Sequence, residues 1–185
     1  MLVFAPPLKR YWQLLCLCWL PVGVYAVVQT PDALPPSVEV TSHGVYKLIK
    51  KGQRLFDADT TAGYSSVINA TLLRETTAVP IVPNQVFGFA YAITDLSTND
   101  EWVPVIIDFT HPPMQNFYGK TSEHFSIQSA AHRAGDGRFH NSAFYVLSKP
   151  YEMVAGEWNI RLIYRDRTVV SRRFQLSPST LMVRD

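Results

Sequence analysis

Trp158-Asn159-Ile160-Arg161-Leu162-Ile163-Tyr164, followed by Arg165-Asp166-Arg167 and a returning run from Thr168 to Leu176, is the stretch that decides the fold. Trp158, Ile160, Leu162 and Tyr164 fall on one side of a period of two, and Asn159 and Arg161 on the other. That alternation belongs to a half-buried strand, since successive side chains of a strand point to opposite faces. Arg165-Asp166-Arg167 is short and polar, so the two runs form a hairpin with one buried and one wetter face.

The same period reappears upstream. Phe87, Phe89, Tyr91 and Ile93 alternate with Gly88, Ala90 and Ala92, one bulky face against one small face. Further strands are expected from Val38 to Ile49 with a bend at Gly44, from Ser66 to Leu73, from Trp102 to Phe109, from His124 to Ser129 and from Ala143 to Ser148. Lys50–Ser65, residues 112–122 and Ala130–Asn141 read as loops, and Ala78–Pro83 as a proline-broken connector. No segment holds a helical period over ten residues. Seven or eight short strands of this kind predict an all-β chain, an antiparallel, immunoglobulin-like β-sandwich.

The N-terminus has a different grammar. Lys9 and Arg10 precede an apolar run from Tyr11 to Leu20, which is broken by Pro21 and Gly23 and followed by Val24-Tyr25-Ala26. A basic flank, a short apolar core and small residues at the end predict a secretory signal peptide over 1–26, cleaved after Ala26. The run is shorter than the roughly 20 residues that span a bilayer, which favours cleavage over retention as an anchor. Residues 27–36, with Pro31, Pro35 and Pro36, read as an extended tether, 37–178 as the sandwich and 179–185 as a tail.

Both cysteines, Cys16 and Cys18, lie inside the signal. The expected mature chain can form no disulfide, and at about 160 residues it can bury roughly 70% of its unfolded surface without one. An exported, cysteine-free domain of this size fits a bacterial periplasm, or secretion from a bacterium. Without Lys9 and Arg10 the 17 Lys and Arg become 15, equal to the 15 Asp and Glu. A neutral chain with no basic cluster larger than a pair excludes a nucleic-acid footprint, and it confines membrane contact to the signal.

Four pieces together resemble a bacterial family catalogued as domain of unknown function 3859. They are Gly44-Val45-Tyr46, Phe87-Gly88-Phe89, His111-Pro112-Pro113, and Glu152 with Gly156, Trp158 and Phe174. The resemblance runs from Val38 to Leu176. It implies a domain and carries no activity, cofactor or catalytic residue.

No Gly-x-Ser-x-Gly elbow, cysteine nucleophile or phosphate loop is present, so the sequence leans away from an enzyme, and no cofactor is expected. The expected role is a non-enzymatic binding module of the envelope, whose partner is an envelope protein or a small ligand. Its contact residues are expected in the 110–122 loop, with His111 and Tyr118 as polar contacts, Phe117 as apolar anchor and Met114 beside them. The alternative is a periplasmic metal carrier or metal-dependent enzyme using His132, Asp136 and His140, which bracket a glycine-rich loop.

Overall fold

The computed structural model describes residues 36–179, apart from 53–54, 57–59, 61–63, 66–67, 97 and 117. The expected signal peptide, most of the tether and most of the tail lie outside the described residues. Eleven strands follow one another: β1 Val38–Lys51, β2 Leu55–Phe56, β3 Tyr64–Ser65, β4 Ile68–Arg74, β5 Ala78–Ile81, β6 Gln85–Ile93, β7 Trp102–Gln115, β8 Thr121–Arg133, β9 Phe139–Leu147, β10 Gly156–Tyr164 and β11 Arg167–Pro178. Nine of them form one curled sheet in the order β4-β1-β6-β9-β8-β7-β10-β11-β5, while β2 and β3 pair with each other.

The curl makes two layers. β8 and β9 meet at only two register positions, His132 with His140 and Arg133 with Phe139. Beyond that corner the four strands β4-β1-β6-β9 and the five strands β8-β7-β10-β11-β5 separate and face each other. Their inner side chains close the core. Phe87 of β6 lies 5.5 Å from both Trp158 of β10 and Phe174 of β11, and Tyr145 of β9 lies 4.8 Å from Trp158. This is an immunoglobulin-like sandwich with an aromatic centre, in which Trp158, Ile160 and Leu162 are wholly buried, as their alternation requires. β1 is flanked by β4 and β6, and β11 by β10 and β5, so both outermost strands in sequence are paired on each side.

Three features depart from the sequence reading, and proline explains the first two. The sandwich is not wholly antiparallel, because Ala78–Ile81, read as a connector, pairs parallel to β11 as the ninth strand of the sheet. Pro80 is tolerated there because β5 is an edge strand, where a missing N–H leaves no ladder bond unmade. β7 does not stop at Phe109. It continues to Gln115 through a register shift between Thr110 and Met114 that absorbs Pro112 and Pro113. The supposed loop between Ala130 and Asn141 is likewise mostly strand, with a turn at 134–138.

Close backbone approach is demanded at Gly88 of β6. Its φ is +143°, and a Cβ there would sit 2.0 Å from the Ala143 carbonyl oxygen on the neighbouring β9. Only glycine meets both conditions.

Candidate functional site on the outer face of the five-stranded layer

The expected contact residues do not form one surface. His111 and Met114 are buried within β7, and Tyr118 is 72% exposed at the β7–β8 turn. Phe117 lies outside the described residues. His111 packs 4.9 Å from the Trp158 ring and 5.8 Å from Phe125, and its Nδ1 donates to the Pro112 carbonyl at 2.8 Å. The Pro112 ring in turn covers Gly156, where a Cβ would lie 2.7 Å from it. These residues hold the core together.

Burial pushes the His111 imidazole below its ordinary value near 6.5, against the opposing effect of the Pro112 carbonyl. In the unfolded chain the ring protonates as the pH drops through 6.5, before it does so in the folded state. Stability contributed by the neutral ring is therefore complete above pH 6.5 and lost as pH falls towards the folded value. The urea midpoint of the wild type is expected to fall between pH 7 and 5, and His111→Gln should flatten that part of the profile. Parallel slopes in the two proteins would refute the assignment.

The alternative metal residues do fall on one hairpin. His132 and His140 face each other across β8 and β9, with Asp136 at the tip. Asp136 is already committed, however. Its Oδ2 accepts from Arg138 Nε at 2.8 Å and from His140 Nε2 at 2.9 Å, and Arg138 also reaches Glu39 at 2.8 Å. The Arg138 guanidinium holds the Asp136 carboxyl far below the usual carboxylate range. A cation bound at Asp136 would have to displace that guanidinium. Among the described residues no three His, Cys, Asp or Glu side chains are grouped to hold a metal ion.

Sequence reasoning missed the outer face of the five-stranded layer, where cross-strand neighbours build two adjoining zones. The first is polar. Asp108 of β7 is buried under its neighbours: its Oδ2 accepts from Arg161 Nε at 2.9 Å and Nη2 at 2.7 Å, and its Oδ1 lies 2.5 Å from His124 Nε2. Three strands thus contribute one carboxylate and two bases. Asp108 faces Arg161 directly in the β7–β10 register; alternation puts each on an outer face, and only the strand pairing brings them opposite. Among the described residues the His124 ring is hydrogen-bonded to the Asp108 carboxylate and to no hydroxyl. Asp108→Asn is expected to destabilise by about 1–3 kcal/mol, because Arg161 and His124 would lose a charged acceptor. An unchanged urea midpoint would contradict this.

The second zone is a groove of about 440 Å³ at the end of the sandwich where the β6–β7 loop and the β10–β11 turn meet. Pro104, Ile106 and Ile163 give it an apolar floor, and Thr98, Asp100, Arg165 and Asp166 stand at its rim. A smaller hollow beside it shares Asp100 and Pro104 and adds Glu101 and Trp102, the last 54% exposed. The loop wall is fastened from behind. Arg133 donates to the carbonyls of Asp100 at 3.0 Å and Gly137 at 3.3 Å, and also to that of Thr98. Loop-wall order in the free protein lowers the entropy cost of binding against it.

Comparison with known proteins bears on the domain as a whole. The model of a family described as "Domain of unknown function (DUF3859)" matches residues 35–176. An immunoglobulin-like protein, PA1606, from Pseudomonas aeruginosa superposes with a TM-score of 0.53 at 17% identity, covering 79% of this chain and 99% of that one. The Pseudomonas fluorescens alkylpurine DNA glycosylase AlkC, bound to DNA containing an abasic site analog, superposes with a TM-score of 0.31 at 10% identity, covering 54% of this chain and 27% of that one. No curated protein matches in sequence.

Proposed function

The chain belongs to the family of domains of unknown function numbered 3859, and from that premise we propose that it is an exported, non-enzymatic binding module of the bacterial envelope. The groove is its binding surface. The observation that carries the reading is the contrast between the two zones of the outer face. Asp108, His124 and Arg161 satisfy one another, whereas Pro104, Ile106, Ile163 and Trp102 are apolar side chains left beside water in a concave site. Export is supported by the basic flank and short apolar run before Ala26, and a bacterial envelope by the lack of cysteine after it. The partner is an envelope protein or a small ligand.

Native mass spectrometry of the protein isolated gently from the envelope of its own host tests this. The expected result is a chain beginning at Val27 that retains a partner, and loses it when Ile106→Asp places a charge on the groove floor. Retention of the partner by a folded Ile106→Asp protein would overturn the groove, and a stoichiometric metal would revive the carrier reading.

A further inference from the structure

The charge around the groove is lopsided. Five described carboxylates face a cation: Asp108 has Arg161, Asp136 has Arg138, Glu39 has Arg138, Glu75 has His43 and Glu157 has Arg173. Asp100, Glu101 and Asp166 have no ion-pair partner among the described residues, which is true also of Asp95 and Glu123 elsewhere, and these three line the groove or its adjoining hollow. The cation among the lining residues is Arg165, whose guanidinium lies 5.2 Å over the Tyr164 ring. Beside these carboxylates stands the exposed indole of Trp102, the aromatic face that best attracts a cation.

The backbone there is also open. β10 pairs with β7 only as far as Ile163 opposite Ile106, after which the chain turns back at Arg165-Asp166. Trp102 to Val105 are therefore paired with β8 alone. An extended segment laid in the groove would continue the layer along that side. The turn itself is strained. Arg165 and Asp166 adopt φ of +47° and +61°, the left-handed backbone that a two-residue hairpin needs and that Asn-Gly supplies most easily.

From these observations we propose that the groove receives an extended peptide segment of a partner protein in which a Lys or Arg neighbours apolar side chains. The apolar groups rest on Pro104, Ile106 and Ile163, and the cation sits between Trp102 and the carboxylates of Asp100, Glu101 and Asp166. Phosphate-bearing partners are disfavoured by the same carboxylates. The inference rests on the groove being the binding surface, and the test separates the two.

The whole protein is titrated with two synthetic hexapeptide amides, one alternating lysine and leucine and one alternating glutamate and leucine, while amide and indole NMR signals are followed. The expected result is that the lysine peptide shifts Trp102, Ile106 and Ile163 and that the glutamate peptide does not. Binding should weaken at least tenfold in Glu101→Lys/Asp166→Lys. It should weaken several-fold in Arg165→Asn/Asp166→Gly, whose relaxed turn raises the unfolding midpoint, so that loss of binding cannot be loss of fold. Equal binding of both peptides at the groove would overturn the cation preference and leave the groove standing. Shifts confined to other surfaces would overturn both. A concentration-dependent dimer seated on the groove and not displaced by the lysine peptide would replace the partner with a second copy.

Discussion

Trp158→Ala is expected to lower the unfolding free energy by about 3–5 kcal/mol, the usual cost of deleting a buried tryptophan side chain. The indole sits where both layers converge, 5.5 Å from Phe87, 4.8 Å from Tyr145 and 4.9 Å from His111. Its Nε1 donates to the Val154 carbonyl at 3.4 Å. Truncation removes partners from three strands at once, and none of them can collapse into the space without leaving its own layer. Domains of this size have total stabilities of about 5–15 kcal/mol, so the variant should unfold at a much lower urea concentration with an unchanged slope. A loss below about 1 kcal/mol would mean that the core repacks freely around the gap.

Gly88→Ala should cost more than its single methyl group implies, above about 4 kcal/mol, placing it among the exceptional substitutions. The methyl would have to occupy space 2.0 Å from the Ala143 oxygen and 3.0 Å from the Phe144 Cα. Both are backbone atoms of an adjacent strand and cannot rotate away. Relief requires β6 and β9 to part, and with them the ladder from Gln85–Leu147 to Ile93–Phe139. The measurement is soluble yield together with the urea midpoint. A variant as stable as the wild type would show that the two strands are less closely apposed than described.

The parts of the fold that could be read from residues were those with an unbroken period of two. Trp158 to Tyr164 and Phe87 to Ile93 alternate without interruption, and both are strands whose bulky faces point inward. Proline was over-read as a terminator. Pro80 lies on an edge, and Pro112 and Pro113 are taken up in a register shift, so neither ends its strand. The same shift explains why the expected contact residues dissolved. His111 and Met114 are three positions apart, which in a regular strand puts them on opposite faces, yet the irregularity brings both inside. A histidine and a methionine next to two prolines then look like a loop when they are core.

The groove was invisible for a different reason. Its lining comes from the β6–β7 loop, the middle of two strands and a turn more than sixty positions further on, and it exists only once β10 stops short beside β7. No local pattern announces such a juxtaposition. Three of the four pieces that carried the family resemblance gather elsewhere, at the core: Phe87, His111, Trp158 and Phe174 touch in a chain of rings, and Pro112 covers Gly156. Glu152 lies buried beside them in sequence, accepting backbone N–H bonds from Ser148 at 2.5 Å and Lys149 at 2.7 Å. They define how the domain folds and leave its surface chemistry to other residues.

The double flanking of β1 and β11 bears on how the domain would carry a pull. Val38 pairs with Ile93 at the groove end, while Pro178 pairs with Ile81 at the other, so chain enters and leaves at opposite poles. Tension between those poles runs along both strands, at right angles to the ladder bonds on either side. Such a load must slide many bonds together, where a pull applied across a hairpin would open them one by one. Extension along that axis therefore meets more resistance than peeling across a hairpin.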